Sequence, residues 1–305
     1  MSKIAIIIPC FNEEITIKNV IEDCKNYLPQ AEVYVCDNNS TDNTAKIAKE
    51  SGAVVMYETR QGKGNAIRKM FREINADCYV MLDGDGAHPL NYVDNMCNMV
   101  LKENIDMVIG DRTVTYFKQN KRLFHNMGNK LVRFIINKIF RSNIKDIMSG
   151  YRAMSRFFVK SYPCLSEGFE VETEMTIHAL DRKFTIMEIP IDYKERPDGS
   201  FSKLNTFSDG FLVLKTIFML FKDYKPFYFF SMIALILFVI SMILFIPIFI
   251  EYLQTSKVPR YPTLIVSGAI ATMSLIMLVC GIMLQTIVRK HNEIYEVMLN
   301  QIKHK

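Results

Sequence analysis

Asp83 and Asp85, separated by one glycine in the run DGDGAHP, bring two carboxylates together where like charges repel unless a cation lies between them. A divalent ion bridging to a diphosphate is the natural occupant of such a pair, and a plain turn or helix cap is the ordinary alternative. His88 follows closely. Beside a proline, with nothing nearby in sequence to orient its ring, it reads as structural rather than as a base. Further along, Glu170 and Glu174 would share one face of a helix while Glu172 would point elsewhere. Solvent exposure is the default for Glu170 and Glu172.

The elements that must position these groups are visible in the apolar pattern. Residues 3–8, apolar throughout from Ile4, form a run stopped by Pro9, as in a strand buried on both faces. Ile17, Val20, Ile21, Cys24 and Leu28 then recur at helical spacing. Strands are predicted at 33–36, 54–57, 79–82 and 107–110. Helices are predicted over 41–50, along Ile67, Met70, Phe71 and Ile74, and over 90–102. This alternation predicts a parallel sheet with helices on both faces, whose ligands bind beyond the carboxyl ends of the strands. The residues there are strongly polar: Asn12, Glu13 and Glu14; Asp37, Asn38, Asn39, Ser40 and Asp42; Arg60, Gln61 and Lys63; then the aspartate pair. Capping by Ser40 or Thr41 explains part of this, but not two aspartates at a strand end.

The last third of the chain is written for a different solvent. Residues 227–250 and 263–288 carry no charged side chain, and each run reaches the ~20 residues that cross a bilayer core as a helix. The connector at 251–262 holds two prolines with Glu251, Lys257 and Arg260, which makes the pair a hairpin with both ends on one side. Lys215, Lys222, Lys225, Arg289, Lys290, Lys303 and Lys305 flank the outer ends, so both termini are expected in the cytoplasm. The apolar stretch at 4–8 is too short for a cleavable signal. The net charge of +5, given where the basic residues lie, suits anionic lipid rather than nucleic acid. Seven cysteines without a CxxC pair argue against a zinc site and a disulfide framework, and fit a reducing compartment. Phe207, Phe211, Leu214, Phe218 and Phe221 suit either an interfacial amphipathic helix or a buried one. Leu123, Phe124, Met127, Leu131, Phe134 and Ile135 could cover an acceptor site or fill the core. Gly268, Ala271, Ser274 and Gly281 are small residues through which copies could associate as a homo-oligomer.

The segments IPCFNEE, CDNNSTDNT, QGKGNAI and DGDGAHP, in this order, resemble the GT-A type inverting glycosyltransferases related to dolichyl-phosphate mannose synthase and the bacterial polyprenyl-phosphate (undecaprenyl-phosphate) sugar transferases. DIMSGYRAMSR, GFEVETEM and ERPDGSFSKL are similar to that group's acceptor-side motifs, so the likeness covers nearly the whole chain. It implies an α/β, GT-A (Rossmann-like), mostly parallel sheet flanked by helices, followed by a two-helix transmembrane hairpin. The implied divisions are a catalytic domain at 1–206, an amphipathic interfacial helix at 207–225, the hairpin at 226–288 and a cytoplasmic tail at 289–305. Pro9, Asn12, Glu13, Asp37, Lys63 and Asp83 are then expected to bind a nucleotide sugar, and Asp83 and Asp85 to hold Mg²⁺ or Mn²⁺. Ala87 departs from a family variant that has Gln there as a further metal contact; water or diphosphate oxygens would complete the sphere.

On the acceptor side the resemblance implies that Tyr151, Arg152, Arg196, Ser202 and Lys203 bind a polyprenyl phosphate, and that Glu174 is the acceptor-side acid. A guanidinium fork and an ammonium suit a lipid phosphate. Asp85, Arg196, Lys203 and Glu174 are the expected catalytic group. The implied reaction transfers a sugar with inversion, from UDP-glucose or UDP-N-acetylglucosamine ahead of GDP-mannose. A processive polysaccharide synthase fits less well, because the chain has no Trp for that group's product-binding motif and two helices cannot enclose a polymer. A non-catalytic nucleotide-sugar-binding adaptor would have no need of an acceptor-phosphate grip.

Overall fold

The computed structural model describes residues 2–113, 123–168, 170–192, 218–219 and 221–303. The chain divides into two compact units, Met1–Val213 and Leu214–Lys305.

In the first unit the apolar runs become strands and the stripes become helices. In chain order these are β1 (Ile4–Cys10), α1 (Ile17–Tyr27), β2 (Glu32–Asp37), α2 (Thr44–Glu50), β3 (Val54–Tyr57), α3 (Lys63–Glu73) and β4 (Cys78–Met81). A 3-10 turn at Leu90–Tyr92 leads into α4 (Val93–Lys102) and β5 (Met107–Asp111). Then come α5 (Leu123–Phe140), β6 (Arg152–Ser155), α6 (Arg156–Ser161), α7 (Val171–Asp181) and β7 (Ile186–Pro190). The sheet order is β3-β2-β1-β4-β6-β5-β7. Ile6, Ile7 and Ile8 of β1 are wholly buried, as a central strand covered on both faces requires.

One strand departs from the parallel expectation. β6 runs antiparallel between β4 and β5. Because of that reversal, the residues entering β6, Ser149 to Tyr151, arrive at the carboxyl end of β4, where Asp83 lies. The stripe expected on α5 is also turned: Val132 and Ile136 are buried, while Leu131 and Phe134 are 45% and 62% exposed and do not fill the core.

The second unit contains α8 (Pro226–Thr255) and α9 (Tyr261–Lys303). Pro226 suits a first helical position, where its missing N–H would be unpaired anyway. Only 17% of the most apolar stretch of each helix is buried, unlike the core helix of a soluble protein. The two are joined by side chain to backbone hydrogen bonds: Ser241 Oγ donates to the Ser267 carbonyl (2.9 Å) and Ser274 Oγ to that of Ala234 (2.7 Å). A Cβ on Gly281 would lie 3.0 Å from the Cβ of Phe230. Ser274 and Gly281, expected between copies, thus serve the helix pair within one chain; Gly268 meets nothing within 4 Å. Residues 289–303, expected as a tail, continue α9, because no Gly or Pro interrupts them and Arg289 and Lys290 pair with Glu293 along the helix. Phe218 and Phe221 pack edge-on against Phe229 at ring distances of 4.9 and 5.8 Å. Phe207, Phe211 and Leu214 lie outside the described residues.

Candidate active site

The loops after β1 and β2 lock into each other. Asn12 has a left-handed backbone (φ 54°), which asparagine tolerates better than most residues. Its N–H donates to Ser40 Oγ (3.0 Å) and its Oδ1 accepts from the Thr41 N–H (2.8 Å). The Glu13 N–H donates to Thr44 Oγ1 at 2.8 Å. Ser40 and Thr41 therefore bind the first loop rather than cap a helix; α2 starts at Thr44, whose N–H donates to Asp42 Oδ1 (2.9 Å). Pro9 closes the apolar part of β1 opposite Cys36. Asn38 ties the neighbouring strand ends together, donating to the Glu58 and Arg60 carbonyls (3.0 and 2.7 Å) and accepting from the Gly62 N–H (2.7 Å). Asp37 Oδ2 accepts from the Ser40 N–H (3.3 Å), while its Oδ1 is buried with no hydrogen-bond partner among the described residues.

The aspartate pair sits on this platform. Thr16, at the start of α1, donates its hydroxyl to the Gly84 carbonyl (2.6 Å), which anchors the turn between the two aspartates. The Ala87 N–H donates to Asp85 Oδ1 (3.0 Å), so the residue that departs from the family pattern still orients the second carboxylate through its backbone. Asp83 faces the Lys63 ammonium, and its Oδ2 lies 3.2 Å from His88 Nε2. Burial alone would push the Asp83 carboxyl up, yet Lys63 and His88 hold it well below the usual carboxylate range. His88 thus has an orienting partner that its sequence neighbours did not reveal.

Lys63 also pairs with Glu172 in the first turn of α7. Glu172 is 4% exposed, so solvent exposure, its ordinary expectation, does not hold. Burial would lower the Lys63 ammonium, but Asp83 and Glu172 together keep it above its ordinary value. Glu174, two residues on in the same turn, is also buried, with Oε1 and Oε2 accepting from the N–H groups of Leu165 (3.0 Å) and Ser166 (2.7 Å). The α7 segment has no polar face: Val171 through Ala179 are all buried.

Arg152, expected beside an acceptor phosphate, lies in the interior. It is wholly buried, and its guanidinium donates to the Ser149 carbonyl (2.8 Å), the Ile147 carbonyl (2.7 Å) and Met107 Sδ (3.4 Å). Burial pushes it down to about 10. A guanidinium spent on backbone carbonyls holds the approach to β6. Tyr151 is equally enclosed, its ring 5.4 Å from that of His88. Arg196, Ser202 and Lys203 lie outside the described residues.

A sequence model described as glycosyl transferase family 2 matches residues 5–162. The chain belongs to that family. Glycosyltransferase AglJ of Haloferax volcanii is 32% identical over 76% of this chain and 76% of its own. The UDP-N-acetylglucosamine–dolichyl-phosphate N-acetylglucosaminyltransferase of Methanococcus voltae is 28% identical over 62% of this chain and 84% of its own. Among solved structures, glucosyl-3-phosphoglycerate synthase of Mycobacterium tuberculosis in complex with Mn²⁺, UDP and phosphoglyceric acid matches with a TM-score of 0.59, at 25% identity over 72% of this chain and 78% of that one. The mostly parallel sheet with flanking helices is the GT-A arrangement of family 2.

Asp83 and Asp85 are hard oxygen ligands of the kind Mg²⁺ and Mn²⁺ take. Among the described residues no three His, Cys, Asp or Glu side chains converge, so water and diphosphate oxygens would fill the remaining positions. The donor set fits on those terms.

Proposed function

We propose that this family 2 glycosyltransferase transfers a sugar with inversion from a nucleotide diphosphate sugar to a polyprenyl phosphate at the cytoplasmic face of a membrane. The observation that carries this reading is a donor-type carboxylate site on a chain that also holds two lipid-length helices whose apolar surface is mostly exposed. UDP-glucose or UDP-N-acetylglucosamine is the favoured donor, in keeping with the UDP-sugar specificity named for the Methanococcus relative and the UDP in the mycobacterial structure. GDP-mannose is the second choice.

Asp37 Oδ1, buried and unpartnered, is an acceptor suited to an N–H or O–H of the base or ribose. Asn12 and Glu13 shape the wall beside it, and Lys63 presents an ammonium on the diphosphate side. Asp83 and Asp85 would hold Mg²⁺ or Mn²⁺, which supplies positive charge to the leaving diphosphate. The acceptor makes modest demands. A phosphate monoester with a second pKa of about 6 is largely dianionic at neutral pH, so no strong general base is required. The chain's task is to bring two anions together and hold the nucleophilic oxygen in line, which assigns cations to the acceptor side as well. Arg196, Ser202 and Lys203 take that role, and Glu174, with both oxygens on backbone amides, orients rather than accepts a proton.

The catalytic domain, 1–206, is then cytoplasmic, the segment at 207–225 interfacial, and only the connector around Lys257 and Arg260 faces outward. Purified full-length protein assayed with Mn²⁺ and undecaprenyl phosphate against a panel of nucleotide sugars tests the reading. Formation of a polyprenyl-monophosphate sugar from one donor is expected; transfer only to a hydroxyl acceptor would overturn it.

A further inference from the structure

Residues 164–167, between α6 and α7, form no helix or strand, yet their backbone is gripped from both sides. On the α3 side, Arg68 donates from Nε to the Cys164 carbonyl (2.6 Å), and from Nη2 to the carbonyls of Leu165 (2.9 Å) and Ser166 (3.3 Å). Its Nη1 is fixed by Asn65 Oδ1 at 3.0 Å. The Gly64 N–H donates to the Glu167 carbonyl (2.8 Å), and a Cβ on Gly64 would collide with the Ser166 carbonyl. On the α7 side, Glu174 accepts from the Leu165 and Ser166 amides of the same strap. Opposite charges on two helices thus hold successive carbonyls and amides of one irregular segment, each through charge-assisted hydrogen bonds.

The same two helices meet a second time, at the donor site. α3 begins with Lys63 and α7 carries Glu172 in its first turn, and these two side chains pair beside Asp83. The contacts close into a ring: Lys63 to Glu172, along α7 to Glu174, across the strap to Arg68, and back along α3. A strap that only closed a loop would need its polar groups satisfied, which water could do at this partly exposed place. A guanidinium forked over three carbonyls fixes the strap's position as well.

We propose that Arg68 is a positioning residue for the donor site, acting through the strap at 164–167 to hold the first turn of α7, and with it Glu172, against Lys63. This rests on reading the Lys63 and Asp83 side as the donor site. The test is UDP affinity in Mn²⁺, by calorimetry on the full chain in detergent, in a cycle of Lys63→Met, Arg68→Gln and the double variant. Each single change is expected to weaken UDP by roughly tenfold, about one charge-assisted contact. The double variant is expected to be no weaker than Lys63→Met alone, because Arg68 acts through the same ammonium. Additive losses, or an Arg68→Gln protein that melts lower but binds UDP normally, overturn the proposal and leave the donor-site reading intact. Unchanged affinity in Lys63→Met overturns both. Should Arg68→Gln fail to fold, Glu174→Gln loosens the strap from its other side and enters the same cycle with the same expectations.

Discussion

Gly150 lies so close to Asp83 that a Cβ on it would come within 2.5 Å of the Asp83 Oδ2. The reversed strand β6 delivers that glycine to the Asp83 carboxylate, and its backbone φ is not positive, so the conflict an alanine would meet there is one of space alone. Gly150→Ala must therefore shift the Asp83 carboxylate away from Lys63 and His88. Turnover is expected to fall by roughly 10- to 100-fold, the scale of a small misplacement at a reacting site. Steady-state rates beside a thermal melt check it; a normal rate with a normal melt would show that the carboxylate has room to spare.

Asp85→Asn and Asp83→Asn are each expected to cost about 100-fold or more in turnover, since each removes a carboxylate from the proposed metal pair. Titration with Mn²⁺ in the presence of UDP should show weaker metal binding in both. Full activity of the double variant in chelator would falsify metal dependence.

Arg152 and Arg196 should separate cleanly. Arg152→Met strips the donors from the Ser149 and Ile147 carbonyls, at roughly 1–3 kcal/mol for each group left unpaired in the interior. The expected outcome is a lower melting temperature with an unchanged KM for lipid phosphate. Arg196→Ala and Lys203→Ala should leave the melt alone and each cost about 100-fold in turnover. Arg152→Met with a normal melt and a raised KM would return that residue to the acceptor site.

His178 offers a pH test of the core. It is 3% exposed among Phe158, Tyr162 and Phe184, and burial, with Arg182 nearby, holds it down at about 3 against an ordinary 6.5. Below about pH 6.5 the unfolded chain takes up a proton that the folded chain refuses, so stability is full above that pH and falls as the medium is acidified. The slope is about 1.4 kcal/mol per pH unit for one such group. Melts at pH 7, 6 and 5 should show a shallower acid loss in His178→Phe than in the parent, and equal slopes would discount the burial argument.

Much of the sheet edge behind β1, β2 and β4 was legible because its signals are local. The apolar run at 4–8 marks β1, and the polar residues behind β1, β2 and β4 mark the edge where Asn12, Asp37 and Asp83 now stand. Glu172 was not legible, because α7 is buried all round and so carries no apolar stripe against which a buried carboxylate would stand out. Arg68 and Arg152 spend their guanidinium groups on backbone carbonyls, which leave no mark in residue type. The direction of β6 escaped for a similar reason: four residues, RAMS, say nothing of the strand they will lie against.

The uncharged part of α9, residues 263–288, spans about 39 Å at about 1.5 Å per residue, against a hydrocarbon core of about 30 Å. That of α8, residues 227–250, spans about 36 Å. Placed in a bilayer as proposed, the hairpin is too tall for an average leaflet pair, and the serine bonds between its helices oblige both to lean together. Thin membranes would force the steepest lean and thick ones the least, so lipid chain length becomes a variable to which this protein's seat in the membrane responds.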